Sequence, residues 1–273
     1  MSIKLIALDL DGTIVAGGTH VFSKKTADAV KKAQENGIKV CIATGRPYSY
    51  TEKLYQMLNL DTYMISMCGA VISDKNGKVI FQNNISSDIA KDIVNYSYEL
   101  GVHVQVFQGS EFQYIHKDDS YANVYFGRCG IVGRHTKSLL KNDDIKTPKV
   151  IIMDSDERRP ALVEKYKKRY PHLSVNQSLP PYIEMIKTDA TKGNALKSIA
   201  DKYGIKREEV MAIGDTGIDI DMIKFAGVGV AMGNSEMHIK DIADFVTLDL
   251  AHDGAALAIE EFCFENSHPV PTN

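Results

Sequence analysis

Three apolar segments of this chain each run into a cluster of polar residues, and this pattern limits the possible folds more than any other feature. The segments Ile3–Leu8, Ile38–Ala43 and "VMAIGD" have the composition of buried strands, and the clusters at their ends are "DLDGT", "TGR" and "GDTGID". Helical patterns separate the strands. Strands that alternate with helices form parallel sheets, which bind ligands at the carboxyl ends of the strands. The sequence therefore predicts an α/β fold with one ligand site at a shared sheet edge.

A long segment in the middle of the chain interrupts this alternation. It contains a helical pattern over Ser87–Leu100, the strand-like runs "HVQVF", "FQYIH" and "KVIIM", and a lysine-rich helix over Arg159–Arg169. This mixture is typical of a separate α+β module, and the strand–helix alternation resumes at Thr191. We therefore predict a Rossmann-like parallel-sheet core formed by residues 1–83 and 187–273, with residues 84–186 as an inserted domain.

The composition narrows the class of protein. The chain has 273 residues, of which 44% are apolar and 25% charged, and its formal net charge is −3. This balance favours an ordinary soluble protein without nucleic acid or a membrane as partner. No apolar run approaches the roughly 18 residues of a membrane helix, and Asp9 and Asp11 interrupt the N-terminal segment before a signal-peptide core forms. The scattered cysteines favour buried thiols in a reducing compartment, so we expect a cytoplasmic protein.

Asp9 and Asp11 follow the first predicted strand directly. Side chains alternate along an extended chain, so both carboxylates project to the same side. Two neighbouring charges of the same sign repel each other, and the pKa of one should rise unless a cation lies between them. A plain Asp-Gly turn is the alternative. A calcium-binding loop is disfavoured, because Thr13 and Ile14 occupy the positions where that loop needs an oxygen ligand and a glycine.

The other polar clusters add a second half to this candidate site. Asp215 at a strand end would complete an oxygen-rich site with Asp9 and Asp11, suited to Mg²⁺, and Asp219 follows Asp215 by about one helical turn. Thr44 and Gly45 precede a predicted helix start, where a hydroxyl and free N–H groups can hold an anion. A helix start with Thr44 as its cap is the simpler alternative.

Lys192 opens a further predicted helix in "TKGNAL". Taken alone, a lysine at such a position is a solvated side chain. Together with the predicted cation site and the predicted anion-binding site at Thr44 and Gly45, it becomes a candidate phosphate ligand at the same sheet edge.

These four clusters, in this order, resemble the four motifs of the haloacid dehalogenase superfamily of phosphatases. "DLDGT" is similar to the first motif, "TGR" to the second, Lys192 in "KGNAL" to the third, and "GDTGIDIDM" to the fourth. The long insert, with "PPYIEMIKTDATKGNAL" at its exit, resembles the Cof-type branch, whose members mostly hydrolyse small phosphorylated metabolites. The resemblance covers most of the chain and is weakest between about Ser87 and Thr147.

The resemblance implies a role for each matching residue. Asp9 would be the nucleophile that forms an aspartyl-phosphate, and Asp11 the general acid and then the general base. The cofactor would be Mg²⁺, held by the side chains of Asp9 and Asp215 and the backbone carbonyl of Asp11, with Asp219 in support. The expected phosphate-binding residues are Leu10, Thr44, Gly45 and Lys192. Asp9 would stay ionised beside Mg²⁺ and Lys192, while Asp11 would be able to keep a proton.

Two residues depart from the family pattern. Ile218 occupies a position of the fourth motif where relatives usually carry an Asn that helps to hold phosphate, and Cys68 in "SMCGA" stands where many relatives have Asn. Loss of one hydrogen bond to a charged group costs about 1.5–3 kcal/mol. We therefore expect an active enzyme that is slow or has an altered substrate.

The substrate itself is open on sequence grounds. We expect the insert to act as a substrate lid and to select a small phosphorylated metabolite such as a sugar phosphate or pyridoxal phosphate. Its middle gathers a set of aromatic and cationic residues that are candidates for this: Tyr114, His116, Tyr121, Tyr125, Arg128 and His135. A phosphomutase of the same fold and a non-catalytic metabolite-binding protein remain alternatives, and the oligomeric state is undetermined.

Overall fold

The computed structural model describes residues 2–108, 111–115, 120–178 and 180–264. The chain forms two compact units, one from Met1–Phe81 with Thr191–Asn273 and the other from Gln82–Ala190. The boundaries predicted from the sequence, 83/84 and 186/187, lie near these positions. An α/β fold with a parallel core sheet and an inserted second domain is confirmed.

The strands are numbered in chain order. They are β1 (Leu5–Leu8), β2 (Lys39–Ile42), β3 (Met64–Ser66), β4 (Val71–Ser73), β5 (Val79–Gln82), β6 (His103–Gln108), β7 (Glu111–Ile115), β8 (Gly133–His135), β9 (Val150–Met153), β10 (Leu173–Gln177), β11 (Tyr182–Lys187), β12 (Val210–Gly214), β13 (Val228–Ala231) and β14 (Phe245–Val246).

The α-helices are numbered in the same way, and short 3₁₀ turns occur between several of these elements. They are α1 (Lys24–Glu35), α2 (Tyr48–Met57), α3 (Ser87–Glu99), α4 (Ser120–Cys129), α5 (Arg159–Arg169), α6 (Lys192–Tyr203), α7 (Ile220–Phe225), α8 (Met237–Lys240) and α9 (Gly254–Cys263). No helix within the described residues combines the length and apolar character needed to span a bilayer.

The core unit is built on a five-stranded parallel sheet with the order β14-β13-β12-β1-β2. Strand β1 lies between β12 and β2, with Leu8 paired to Ile213 on one side and to Ile42 on the other. All four residues of β1 are buried, as expected for a parallel sheet whose two faces are covered by helices. The carboxyl ends of these three strands therefore lie side by side.

Local sequence signals account for the ends of helices α1 and α6. Ser23 caps α1 by accepting a hydrogen bond from the Thr26 N–H, and Gly37 follows its end with a φ of 78°. Thr191 caps α6 in the same way through the Asn194 N–H, and Gly204 ends that helix in the left-handed region. Ser and Thr side chains favour N-caps, and glycine tolerates a positive φ. The capping residue Thr191 places Lys192 in the first turn of α6.

The inserted unit has its own six-stranded sheet with the order β10-β11-β9-β6-β7-β8. Alternate residues of β6, β9 and β11, such as Val104, Ile152 and Ile183, pack with α3 and α5 in one hydrophobic core. The predicted boundaries of α5 agree with the structure. Helix α4 and the strands β8 and β10 were not predicted, because "SYANVYFGRC", "GRH" and "LSVNQ" carry neither a clear helical period nor a clear alternation of apolar residues.

Candidate active site

The polar clusters that follow β1, β2 and β12 meet at one edge of the core sheet. Asp9 directly follows β1, and its N–H donates to Ile213 O of β12 at 3.0 Å. On the other side, the Ala43 N–H after β2 donates to Leu8 O at 2.8 Å. Parallel strands in register bring the residues after their last positions to the same level. Asp9, Thr44 and Asp215 therefore lie at one sheet edge, as the sequence pattern predicts.

Lys192 donates hydrogen bonds to two carboxylates at this edge. Its Nζ is 2.5 Å from Asp9 Oδ1 and 2.6 Å from Asp219 Oδ1, and the side chains of Lys192 and Asp219 are both 0% exposed. Burial lowers the pKa of Lys192, but the charges of Asp219 and Asp9 outweigh burial and hold that pKa above its ordinary value. The structure thus excludes a solvated lysine at this position and places a fixed cation beside Asp9.

Asp219 has hydrogen-bond donors on both of its oxygens. Its Oδ1 accepts from Lys192, and its Oδ2 accepts from the Asp215 N–H at 3.1 Å, the Thr216 N–H at 2.9 Å and the Thr216 hydroxyl at 3.1 Å. A carboxylate offers about four lone-pair sites, so these donors satisfy Asp219. It therefore orients Lys192 and the loop that carries Asp215, which agrees with a supporting role.

Three carboxylates form the candidate metal centre among the described residues. Oxygen atoms of Asp9, Asp215 and Asp219 all lie within 4.8 Å of one another. Burial and the neighbouring charge of Asp219 raise the pKa of Asp9 well above its ordinary value, although Lys192 opposes this. Burial is also the main cause that raises the pKa of Asp215 to about 6. Clustered carboxylates that resist ionisation in this way fit a hard divalent cation, which would neutralise them.

Asp215 is held in place by contacts on both of its oxygens. The Thr13 hydroxyl donates to its Oδ1 at 2.8 Å, and the Asn234 amide donates to its Oδ2 at 3.3 Å and to Gly12 O at 3.0 Å. Gly12 has a φ of +89°, and a β-carbon there would lie 2.2 Å from Asp215 Oδ2. Only glycine suits this close approach. The Asn234 amide therefore orients Asp215 from outside the clusters that the sequence singled out.

Asp11 forms an ion pair with Arg46, and its side chain lies outside the cluster of Asp9, Asp215 and Asp219. Arg46 Nε lies 2.7 Å from Asp11 Oδ2, and Arg46 Nη2 lies 2.5 Å from Asp11 Oδ1. Partial burial raises the pKa of Asp11, but the hydrogen bonds and charge of Arg46 outweigh it and leave the pKa below its ordinary value. With the protein side chains alone, burial raises the pKa of Asp9 and Arg46 lowers the pKa of Asp11. This is the reverse of the expected ionisation, in which Asp9 stays charged and Asp11 keeps a proton.

Sequence reasoning missed Arg46, although it is part of the "TGR" cluster. It was overlooked because its partner Asp11 lies 35 residues earlier in the chain. An arginine immediately after the predicted anion-binding residues Thr44 and Gly45 is the signal that could have identified Arg46.

Lys192 lies on α6, and the other predicted phosphate-binding residues lie in the short turns after β1 and β2. Thr44 is buried, and its Oγ1 accepts from the Arg46 N–H at 3.1 Å while its own O–H remains a possible donor. The Leu10 carbonyl accepts from the Ile14 and Val15 N–H groups at 3.0 Å, so this residue shapes the turn after β1.

The two residues that depart from the family pattern flank the same glycine. A β-carbon on Gly45 would lie 3.3 Å from Cys68 Sγ and 3.7 Å from Ile218 Cδ1. Cys68 is buried, whereas the Ile218 side chain is 42% exposed. A thiol and a methyl group therefore line Gly45 where the family pattern has two amides.

The aromatic residues of the insert mainly pack against one another. Tyr114 and Tyr125 are buried, and both rings contact Phe112 at centroid distances of 5.9 Å and 5.1 Å. The other predicted members have different environments: Tyr121 contacts His103, His135 contacts Tyr114, and the Arg128 guanidinium lies over the Tyr182 ring. His116 lies outside the described residues. Tyr114 and Tyr125 therefore contribute to the packed interior of the inserted unit.

Comparisons with known proteins show which family this chain is similar to. The family model of haloacid dehalogenase-like hydrolases matches residues 6–259. The chain is 31% identical to phosphatase YwpJ of Bacillus subtilis (93% of this chain, 97% of YwpJ). It is 30% identical to 5-amino-6-(5-phospho-D-ribitylamino)uracil phosphatase YitU of the same organism (94% and 97%). A crystal structure of a haloacid dehalogenase-like hydrolase from Bacteroides thetaiotaomicron has 28% identity and a TM-score of 0.85, covering 95% of this chain and 99% of that chain.

Proposed function

The chain belongs to the haloacid dehalogenase-like hydrolases and is a phosphoric monoester hydrolase, and we propose that it uses Mg²⁺ and an aspartyl-phosphate on Asp9 to hydrolyse a small phosphorylated metabolite. The observation that carries this proposal is the placement of Asp9 at the end of β1, in contact with Lys192 and beside Asp215. Phosphoryl transfer needs mainly positioning and charge neutralisation. A carboxylate next to a fixed ammonium and a cation site meets both needs.

Asp9 is the proposed nucleophile. Its carboxylate attacks phosphorus while the phosphoryl oxygens are held by the backbone around Leu10, by the Thr44 hydroxyl and Gly45 N–H, and by the Lys192 ammonium. Lys192 is already oriented towards Asp9, at 2.5 Å from its Oδ1. Mg²⁺, held by the side chains of Asp9 and Asp215 and the carbonyl of Asp11, supplies charge neutralisation for the phosphoryl group when bound.

Asp11 is the proposed proton carrier. It protonates the leaving alcohol in the first step and removes a proton from the attacking water in the second, when the bond between Asp9 and phosphorus breaks. Its side chain does not belong to the carboxylate cluster of the candidate metal centre. The Asp11 side chain is therefore left free of the cation, in contact with Arg46, and it has to take up a proton against its lowered pKa before the first step.

The insert is the proposed source of substrate selection, because the core residues recognise only phosphate and the cation. Arg128 is exposed and carries a charge suited to a polar substrate group. If the insert selects the substrate, Arg128→Ala changes the ranking of phosphorylated metabolites and leaves hydrolysis of 4-nitrophenyl phosphate unchanged. An unchanged ranking would assign selection elsewhere.

A cytoplasmic location remains part of the proposal, and none of the four cysteines, all described, forms a disulfide.

A metabolite screen tests the function directly. The purified protein is assayed for phosphate release with Mg²⁺ or with EDTA, against sugar phosphates, pyridoxal phosphate and the substrate named for YitU. The proposal predicts Mg²⁺-dependent release, an acid-stable phosphoprotein in wild type, and neither in Asp9→Asn. Wild-type-like turnover by Asp9→Asn would exclude Asp9 as nucleophile. Interconversion of phosphate isomers without phosphate release would identify a mutase, and binding without turnover would identify a non-catalytic relative.

A further inference from the structure

Asp11 and Arg46 form a two-point ion pair that is more constrained than a surface salt bridge. Two nitrogens of the guanidinium each contact a different oxygen of the carboxylate, at 2.7 Å and 2.5 Å. The Arg46 side chain is 7% exposed and the Asp11 side chain 37%. Paired contacts of this kind fix the plane of the carboxylate as well as its position.

Further contacts hold Arg46 itself in one orientation. Its Nη1 donates to Thr19 O at 3.0 Å, and its guanidinium lies 4.7 Å from the centroid of the Tyr50 ring. The Tyr50 hydroxyl in turn donates to Gly18 O at 2.8 Å, and the Gly18 N–H donates to Asp11 Oδ1 at 2.9 Å. The loop after β1 therefore closes around the pair, and three N–H donors from two directions orient the Asp11 carboxylate.

This arrangement matters because Asp11 has two successive tasks in the proposed reaction. A proton must reach the leaving oxygen in the first step, and a water must be deprotonated in the second, so the carboxylate has to keep one orientation towards phosphorus. A misplacement of about 1 Å at a reacting group can cost on the order of 10²-fold in rate. An aspartate side chain without neighbours would rotate freely about its two torsions.

We infer that Arg46 is a positioning residue that acts through Asp11, and this inference rests on the proposed function. Arg46 contributes to turnover by orienting the proton carrier, and it does not serve as a phosphate ligand. Its removal should therefore lower kcat in the same way that the loss of Asp11 does. The inhibition constant of inorganic phosphate should remain close to the wild-type value, and KM should not rise.

The experiment is a double-mutant cycle of Arg46→Gln and Asp11→Asn, read with two substrates of different leaving group. With an alkyl phosphate, Arg46→Gln should lower kcat by roughly 10–100-fold. With 4-nitrophenyl phosphate, the nitrophenolate leaves without being protonated. Formation of the aspartyl-phosphate should therefore stay fast, and its hydrolysis should slow. The Arg46→Gln variant should then show a burst of nitrophenol of about one equivalent per site. Adding Arg46→Gln to Asp11→Asn should change kcat less than about twofold, because the residues act as one unit.

Arg169→Gln is the matched control. Arg169 in the inserted unit also contacts both oxygens of an aspartate, Asp92, at 3.1 Å and 2.9 Å, and also lies over a tyrosine ring, Tyr96, at 4.5 Å. This variant should keep wild-type kinetics. Arg46→Lys keeps the charge but loses the two-point contact, so it should remain slow and remain folded by thermal melting.

Three results would overturn the inference. Additive effects of the two substitutions would show that Arg46 acts independently of Asp11, and a rise in KM and in the phosphate inhibition constant without a burst would make it a phosphate ligand. Equal slowing by Arg169→Gln would indicate a general loss of stability. If wild type is active and forms the phosphoprotein but the cycle is additive, only this inference fails. If wild type releases no phosphate, the proposed function fails with it.

Discussion

Lys192 Nζ lies 2.6 Å from Asp219 Oδ1, and neither side chain is exposed to solvent. Removing one member of a buried ion pair leaves the other charge without compensation, which costs about 3–5 kcal/mol. Asp219→Asn should therefore lower the free energy of unfolding by about that amount in urea denaturation, and it should also release the loop that carries Asp215. Asp221→Asn, an exposed aspartate on α7, is the control and should have no such effect. Wild-type stability of Asp219→Asn would show that Asp9 alone compensates Lys192.

Asp215 should link Mg²⁺ to stability. A ligand that binds only the folded state adds about 2.7 kcal/mol at a concentration of 100 times its Kd. Thermal melts with increasing MgCl₂ should show this gain in wild type, and Asp215→Asn should lose it. Without Mg²⁺, Asp215→Asn should melt at or above the wild-type temperature, because the raised pKa of Asp215 shows that its charge is unfavourable in the folded protein. A full Mg²⁺ response in Asp215→Asn would place the cation elsewhere.

Ile218 should weaken the binding of the phosphoryl group, because its side chain offers no hydrogen-bond donor. Its Cδ1 lies beside Gly45, at 3.7 Å from the position of a β-carbon there, and an amide at this place could donate to a phosphoryl oxygen. Ile218→Asn should lower KM, raise kcat or tighten inhibition by inorganic phosphate, by roughly tenfold or more for one hydrogen bond to a charged group. Ile218→Leu is the apolar control. If the Asn and Leu variants behave alike, a different group already holds the phosphate.

The turn after β3 carries backbone strain that asparagine should relieve. Met67, Cys68 and Gly69 have φ values of 51°, 60° and 102°, and the left-handed region costs most residues roughly 1–2 kcal/mol. Asn adopts this region readily, so Cys68→Asn should stabilise the protein by about 0.5–1 kcal/mol in urea unfolding.

Gly69→Ala should have the opposite effect on the same turn. A β-carbon at Gly69 would lie 2.2 Å from the carbonyl carbon of Thr191, the residue that caps α6. The variant should be destabilised and should also lose activity, since the start of α6 carries Lys192. Stability changes of the same sign in Cys68→Asn and Gly69→Ala would contradict this view of the turn.

The Asp92–Arg169 pair should contribute to stability only above acidic pH. The hydrogen bond from Arg169 is the main cause that lowers the pKa of Asp92. A carboxylate with a lowered pKa stabilises the folded state above its ordinary pKa of about 4, and that contribution disappears as the pH falls through the lowered value. Wild type and Arg169→Gln should therefore differ by less than about 1 kcal/mol at pH 7, because both side chains are about half exposed. The difference should vanish at low pH, and a constant difference would assign it to packing.

Much of the fold could be predicted because its signals are local. Apolar strands that end in polar clusters, the return of the strand–helix alternation at Thr191, and the pattern of Arg159–Arg169 each depend on a few neighbouring residues. Helix α4 and the strands β8 and β10 were missed, since tertiary packing and not their own pattern determines them. The left-handed turn at Met67 and Cys68 was missed for the same reason.

The sequence by itself determined where the candidate site lies: the order of the clusters places Asp9, Thr44 and Asp215 after neighbouring parallel strands. Only the tertiary structure decided how these groups are paired and charged. Lys192 is held between Asp9 and Asp219, 183 and 27 residues away, and Arg46 is held against Asp11 across 35 residues. Burial and charge contacts between distant residues determine the pKa of each carboxyl group, and no pattern along the chain reports them.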